Sequence, residues 1–236
     1  SSLGLIGLLF VINQLGKTGV NWTNQFGLLA VSLVMLAYFV FRQFHIKTPM
    51  LELRVLKTFN YDLAVLLTGF SYIALIVTTI IFPLYYQEVL KLSPFASGMS
   101  LLPGAVFLSL LNPVTGKLAD RFGFKRVLLI GMSMITIGWG ILFVFSSELN
   151  LIGMVILSML IEGGNAFVMM PAMTLGANSL PDSLIAHGTA VITTVRQILG
   201  SFGVAVATII LTAITQSELT KGSHVEVATQ MGYRAV

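Results

Sequence analysis

Long apolar stretches separated by short polar segments are the dominant pattern in this sequence of 236 residues. A helix needs about 20 consecutive, mostly apolar residues to cross the hydrocarbon core of a bilayer. Most of the stretches reach that length, although the first is shorter. The pattern therefore predicts an all-α, polytopic membrane helix bundle with about seven transmembrane helices. We expect these helices at residues 3–15, 26–43, 61–87, 95–115, 126–146, 150–176 and 187–214.

Composition supports a protein that lies in a lipid bilayer. Hydrophobic residues make up 56% of the chain, charged residues make up 9%, and the mean hydropathy is +0.93, whereas soluble domains carry about 25% charged residues. The formal net charge of +4 does not indicate nucleic-acid binding, because the basic residues cluster in loops beside the spans. The absence of cysteine excludes disulfides, thiolate metal sites and cysteine nucleophiles.

The distribution of basic residues predicts the orientation of the spans. Lys and Arg are retained on the cytoplasmic side of a membrane. The segments 42–60 and 116–126 are the most basic and lie on the same side of the predicted bundle, so we expect both in the cytoplasm. They carry Arg42, Lys47, Arg54, Lys57, Lys117, Arg121, Lys125 and Arg126, against Lys17, Lys91, Lys221 and Arg234 on the other side.

The segment 116–126 is the most specific polar pattern in the chain. It reads Gly-Lys-Leu-Ala-Asp-Arg-Phe-Gly-Phe-Lys-Arg and is predicted as a short charged hairpin between two antiparallel spans. Gly116 and Gly123 are expected to adopt backbone conformations that a side chain would forbid. Asp120 can offer a carboxylate to the N-terminus of a nearby helix, where the helix dipole favours an anion.

Two ionisable residues, Glu162 and Arg196, fall inside predicted spans. Both are expected near mid-depth on adjacent antiparallel helices, where an unpaired charge costs at least about 2.5–3.5 kcal/mol. Three interpretations of Glu162 remain open: it lines a cavity and binds a cation or a proton, it pairs with Arg196, or it stays protonated. Arg196 is interpreted as a structural or coupling charge.

No catalytic residue, metal site or cofactor is predicted. The chain contains no His-Glu-x-x-His, phosphate-cradling Gly-x-x-x-x-Gly-Lys-Ser/Thr or Gly-x-Ser-x-Gly motif. His45, His187 and His224 are too far apart in sequence to indicate a metal site. The span count also allows a seven-span receptor, and a half-transporter or non-transporting membrane subunit; the 116–126 pattern argues against the receptor.

The 116–126 segment resembles the signature loop of the major facilitator superfamily, Gly-x-Leu-Ala-Asp-Arg-x-Gly-Arg-Lys. Only Phe124 differs from this pattern, because the family usually has Arg at that position. Lys125 and Arg126 retain the positive charge, shifted by one residue along the chain. Other parts resemble the fourteen-span drug:proton antiporter branch of that family, over roughly residues 45–215. These are Tyr86-Gln87-Glu88-Val89, Leu101-Leu102-Pro103-Gly104, Met169-Met170-Pro171, Asn178-Ser179-Leu180-Pro181 and Arg196-Gln197-Ile198-Leu199-Gly200-Ser201-Phe202-Gly203.

The resemblance implies that the chain is an incomplete, C-terminal portion of such a transporter. Residues 1–43 would be the two extra central helices and residues 44–60 a cytoplasmic linker. Residues 61–214 would be five helices of the C-terminal bundle, whose last helix is missing. Residues 215–236 would be an extracytoplasmic tail leading to that helix. The entire N-terminal half of the transporter would also be missing.

The resemblance further implies multidrug efflux by proton antiport across the cell membrane, in bacteria the cytoplasmic membrane. Two bundles would rock about a central site that binds a small lipophilic or cationic substrate. The signature residues Gly116, Asp120, Arg121, Gly123, Lys125 and Arg126 would latch one bundle to the other. The sixth span would line the cavity, so the substrate candidates are Glu162, Asn165, Met169 and Met170, although adaptable methionines also serve as packing.

Overall fold

The computed structural model describes residues 55–56, 58–145, 150–222 and 224–236, together with isolated positions 31, 34 and 38. The first two predicted spans and most of the 44–60 linker lie outside the described residues. Within those residues the chain is helical and contains no strand, as the sequence predicted. The helices are α1 (Phe59–Glu88), α2 (Pro94–Phe122), α3 (Phe124–Phe145), α4 (Leu151–Asn178), α5 (Ile185–Thr220) and α6 (Val225–Ala235), with a short 3₁₀ turn (Asp182–Leu184) before α5.

Helices α1 to α5 are long and apolar enough to cross a membrane, and they coincide with the last five predicted spans. Two of them begin where the sequence supplies a cap for the free backbone N–H groups of the first turn. The Ser93 side chain accepts a hydrogen bond from the backbone N–H of Ala96 (3.2 Å), with Pro94 in the first position of α2. The Asn150 side chain accepts one from Gly153 (2.9 Å) at the start of α4.

Helix α4 is the centre of the bundle. It packs against α1, α2 and α3, while α5 packs mainly on α1. Glycines allow the closest approaches: a Cβ atom at Gly131 of α3 would lie 2.8 Å from the Gly164 carbonyl oxygen of α4, and a Cβ atom at Gly164 would lie 2.8 Å from the Gly131 carbonyl oxygen. The backbones of α3 and α4 are therefore in direct contact, as small residues permit between membrane helices.

The arrangement gives the bundle two faces. Helices α2, α4, α1 and α5 are neighbours in that order, and α3 covers α4 and part of α1 from one side. We call the opposite side the front face and define it by Glu162, Met169 and Met173 of α4. Gly164 and Val168 of the same helix point toward α3. A step of two residues turns an α-helix by about 200°, so Glu162 lies opposite Gly164.

The predicted hairpin at 116–126 is a much tighter connection than the sequence indicated. Helix α2 continues through Phe122, α3 begins at Phe124, and Gly123 alone lies between them. The prediction of a loop starting at Gly116 was wrong, because the end of an apolar stretch was taken as the end of the helix. Lys, Leu, Ala and Arg are all good helix formers, so nothing in the segment stops the helix before Gly123.

Gly123 is where the conformational freedom of glycine is needed. Its φ is +86° and its ψ is 143°, and its N–H donates to the Ala119 carbonyl oxygen at 2.9 Å. A side chain rarely adopts this backbone conformation, and forcing one costs about 1–3 kcal/mol. Gly116 lies within α2, and no neighbouring atom lies within 4 Å of the position that a Cβ atom would occupy there, so it has no such requirement.

We predict that Gly123→Ala destabilises the full-length protein by about 1–3 kcal/mol. The matched control Gly116→Ala adds the same methyl group inside a helix and should be neutral or stabilising by up to about 1 kcal/mol. The two purified variants are heated, and size-exclusion chromatography then measures how much folded protein remains at each temperature. The difference between their unfolding temperatures gives the difference in stability. Equal stability of the two variants would contradict the strain that alanine is expected to introduce at position 123.

The segment 215–236, predicted as a polar tail, is largely helical. Helix α5 continues to Thr220, and α6 folds back onto the end of the bundle. The Tyr233 ring packs against the Tyr85 ring (centroids 5.5 Å apart), and its hydroxyl donates to the Glu88 carboxylate at 2.6 Å. Burial, and then this hydrogen bond, raise the pKa of Tyr233. The hydroxyl therefore keeps its proton and remains a donor at neutral pH.

Candidate functional site

Glu162 is a carboxylic acid in the interior of the bundle, near the middle of α4. Its side chain is 8% exposed. Its Cγ atom lies 3.1 Å from the position that a Cβ atom of Gly104 in α2 would occupy. The missing side chain at Gly104 therefore makes the space in which Glu162 lies. The Glu162 Oε2 atom is buried and has no hydrogen-bond partner in the described residues.

An unpartnered carboxyl group is unusual in the hydrocarbon region. Acidic residues within membrane helices almost always line a cavity, find a partner or take part in transport of an ion or substrate. The Ser158 hydroxyl borders the same space, since its Oγ atom lies 3.4 Å from the Cβ position of Gly104. The Ser158 hydroxyl donates to the Val155 carbonyl oxygen at 2.7 Å. The carboxyl group thus keeps free acceptor capacity.

The front face of α4 extends from Glu162 toward the end of α4 near Asn178 as a stripe of thioether side chains. Met169 and Met173 lie seven and eleven residues after Glu162, which is close to two and three full turns of an α-helix. All three side chains therefore face the same way. Met170 lies off this stripe and is 42% exposed. Thioether side chains are flexible and polarisable and adapt to ligands of different shapes.

Asn165, predicted as a cavity residue, is fully buried between α4 and α1. Its side-chain N–H donates to the Ile161 carbonyl oxygen (3.0 Å), and its side-chain oxygen accepts from the Ser71 hydroxyl of α1 (2.6 Å). These bonds use both ends of the amide. Asn165 therefore joins two helices, and in this structure it does not face the front side. The sequence could place Asn165 beside Glu162 along the chain but could not show its direction.

Arg196 and Glu162 do not pair, and the prediction of a shared depth was wrong. The Arg196 guanidinium lies over the Tyr72 ring of α1 (4.9 Å to the centroid), and its Nη1 atom is 3.9 Å from the Met173 sulfur. Met173 is eleven residues from Glu162, or roughly 16 Å along the helix. The predicted depths were wrong because they were counted from the ends of the spans, which ignores how far α5 is shifted along α4. In the structure this register places Ile192 of α5 against Gly176 of α4.

The signature residues come together at the junction of α2 and α3. Gly116, Asp120 and Arg121 lie in the last turns of α2, Gly123 is the junction itself, and Lys125 and Arg126 lie in the first turn of α3. Asp120 is exposed and makes no ion pair with any described residue. The junction therefore presents an exposed carboxylate with basic residues on both sides.

Sequence reasoning missed two residues that shape the front face. Tyr72 supports the Arg196 guanidinium, and its hydroxyl donates to the Gln197 side-chain oxygen at 3.2 Å. Gly104 makes room for Glu162. The signal for Gly104 was present, since it belongs to the Leu101-Leu102-Pro103-Gly104 motif. Nothing in the sequence distinguished Tyr72 from other aromatic residues of an apolar span.

Comparison with known proteins identifies the relatives of the chain. The Lincomycin resistance protein LmrB of Listeria monocytogenes is 32% identical over 213 residues, covering 90% of this chain and 45% of the relative. The uncharacterized MFS-type transporter YcnB of Bacillus subtilis is 36% identical over 205 residues, covering 87% and 43%. A Multidrug resistance protein B homolog of Mycobacterium tuberculosis is 26% identical over 215 residues, covering 89% and 40%.

The chain spans less than half of the length of these curated relatives. One of them is named as an MFS-type transporter, and all three come from bacteria. Together with the apolar helices α1 to α5, they indicate a multi-pass protein of the cell membrane. The sequence profile of the Major Facilitator Superfamily matches residues 2–204, and the chain therefore belongs to that superfamily.

Proposed function

We propose that this chain is the C-terminal part of a transporter that exports lipophilic, often cationic compounds from the cell by proton antiport. The observation that carries the proposal is the buried, unpartnered carboxyl group of Glu162 beside a stripe of methionines on the front face. Relatives named for lincomycin resistance and multidrug resistance support the export of drugs.

The chemistry of the front face fits a lipophilic cation. A carboxylate in a low-dielectric site attracts a positive charge far more strongly than one in water. Met169, about two helical turns along the same face, supplies an adaptable apolar surface, which suits ligands that share charge and lipophilicity but not shape. Because Glu162 has no competing basic partner among the described residues, its charge is available to a substrate.

The same carboxyl group can couple export to protons. A carboxyl group holds either a proton or a cation, since both compensate the same negative charge. Arrival of a cation from the cytoplasm would displace the proton, and a proton from outside would then displace the cation. In this scheme Glu162 is the residue at which the two compete. The remainder of the coupling machinery belongs to the part of the longer protein that this chain does not contain.

A second half of the protein would complete the site. The front face is one wall, and alternating access in this family uses two bundles that rock about a site between them. Asp120, exposed and without an ion-pair partner in the described region, would contact a helix N-terminus of the other half, where an anion is favoured. The proposed missing N-terminal half is thus both the opposite wall and the partner of the signature residues.

A groove on the other side of the bundle would accept the missing last helix of the C-terminal bundle. It has a volume of about 390 Å³ and lies between α1, α3 and α5. Its lining is almost entirely apolar, which suits a further membrane helix. Lining residues include Phe70, Ile73, Phe202, Val206 and Ile210.

Transport of ethidium, a lipophilic cation, tests the proposal directly. In inside-out membrane vesicles that contain the full-length protein, an imposed proton gradient should drive ethidium accumulation, and nigericin, which collapses the gradient, should stop it. Vesicles without the protein are the control. Accumulation that continues after collapse of the gradient would contradict proton antiport, and accumulation no greater than in the control vesicles would contradict cation export.

A further inference from the structure

The side chains around Arg196 form a small polar cluster that the proposed cation site does not use. Arg196 lies eleven residues into α5, roughly 16 Å along the helix axis. Its guanidinium lies over the Tyr72 ring and beside the Met173 sulfur. Within the described part of the chain, its buried Nε atom has no hydrogen-bond partner and no acidic residue pairs with it.

The charged group of this cluster, the Arg196 guanidinium, is a donor only. The Tyr72 hydroxyl donates to the Gln197 side-chain oxygen (3.2 Å), which leaves the N–H₂ group of that amide available as a donor. The acceptors that remain in the cluster are neutral oxygen lone pairs. Arg196 carries five N–H donors and no acceptor. The thioether sulfur of Met173 is only a weak acceptor and does not balance the positive charge. A ligand that fits this cluster must therefore bring acceptor atoms and negative charge.

We propose that Arg196, with the Gln197 amide and the Tyr72 ring, forms a binding site for the carboxylate group of a small lipophilic compound. The planar fork of a guanidinium matches the two oxygens of a carboxylate. One carboxylate charge balances one guanidinium charge, whereas a doubly charged phosphate would leave an excess charge in a low-dielectric site. The Tyr72 ring and Met173 supply the apolar surface that a lipophilic body would contact.

The site is separate from the one at Glu162 and extends the range of ligands. Arg196 contacts Met173, which is roughly 16 Å along α4 from Glu162. The front face therefore has a carboxyl group at one position and a guanidinium at another, with thioether side chains between them. This site rests on the proposed function in one respect only, namely that the cluster lies on the path of the substrate. A test by equilibrium binding can fail or succeed without reference to transport.

Binding of dansylglycine, a fluorescent lipophilic carboxylate, to the full-length protein in lipid nanodiscs tests the site. Its neutral amide, dansylglycinamide, is the matched ligand. We expect the wild-type protein to bind the acid more tightly than the amide. Arg196→Gln should weaken acid binding at least about tenfold, because a charge-assisted hydrogen bond is lost, and should leave amide binding unchanged.

Two further variants separate a binding role from a structural one. Arg196→Lys keeps the charge but loses the fork geometry, so it should weaken acid binding less than Arg196→Gln and remain folded. Lys221→Gln removes an exposed charge from the end of the same helix and should bind both ligands as the wild type does. Equal binding of acid and amide by the wild type, or unchanged acid binding by Arg196→Gln, would overturn the proposal. Either result would point instead to an acidic side chain elsewhere in the longer protein as the partner of Arg196.

Discussion

Export of ethidium by the full-length protein is expected to fall at least about tenfold when Glu162 is replaced by glutamine, because the substrate loses a charged partner in a low-dielectric site. Glutamine has nearly the same shape as glutamate, so it fits the space that Gly104 leaves open. It also removes the charge that is costly to bury in the membrane. Expression and folding should therefore be retained while cation export is lost.

The measurement is ethidium transport in vesicles, at equal amounts of wild-type and variant protein. Asp182→Asn is the matched control, since it also replaces a carboxylate by an amide but at an exposed position in the turn before α5. That variant should transport ethidium like the wild type. Export of chloramphenicol, which is uncharged, should fall less than export of ethidium when Glu162 is replaced by glutamine. Wild-type ethidium export by the Glu162→Gln protein would remove the basis of the proposed cation site.

Replacing Gly131 by alanine is expected to disrupt the packing of α3 on α4. The new Cβ atom would lie 2.8 Å from the Gly164 carbonyl oxygen, 2.7 Å from Phe167 Cβ and 2.8 Å from Val168 Cγ2. None of these atoms is the end of a long flexible side chain, so the two helices must move apart. Overpacking of this kind costs about 1–3 kcal/mol for even small additions, and separation of the central helix from α3 places the variant at the upper end.

Thermal stability of the purified full-length protein measures the effect of Gly131→Ala. Gly140 lies on the same helix with no atom within 4 Å of its Cβ position, so Gly140→Ala is the matched control. That control should leave stability unchanged or raise it, since alanine is the better helix former. Gly164→Ala, which meets the Gly131 carbonyl oxygen from the other side, should behave like Gly131→Ala. If the variants at positions 131 and 140 unfold at the same temperature, the result would contradict a direct backbone contact between α3 and α4.

The site predictions show which kinds of inference the sequence could support. Glu162 was singled out as a candidate because a carboxyl group within an apolar span is conspicuous on its own, and its role stays a prediction. Asn165 was placed in the cavity with it, but it lies about 60° around the helix from Glu162, and this rotation directs its side chain onto Ser71 of α1. The pairing of Glu162 with Arg196 failed for a related reason, because it depended on how far α5 is shifted along α4.

The connection between α2 and α3 shows the same limit at the level of secondary structure. The charged segment was correctly recognised as the boundary between two apolar spans, because charge marks where the chain leaves the hydrocarbon. A helix does not have to end where its apolar stretch ends, however. Only the backbone conformation of Gly123 reveals where α2 stops, and that conformation depends on the positions of both helices.

The amino-acid sequence alone was enough to establish the helical membrane fold, the positions of the five apolar helices α1 to α5 and the superfamily. These properties follow from apolar length and from motifs of neighbouring residues, which are local along the chain. Which residues meet depended on the packed bundle: Gly131 with Gly164, Glu162 with Gly104, Asn165 with Ser71, and Arg196 with Tyr72. The rotation and register of each helix depend on close packing with residues distant in sequence, and the apolar pattern of a membrane helix does not encode them because lipid accepts an apolar surface on any side.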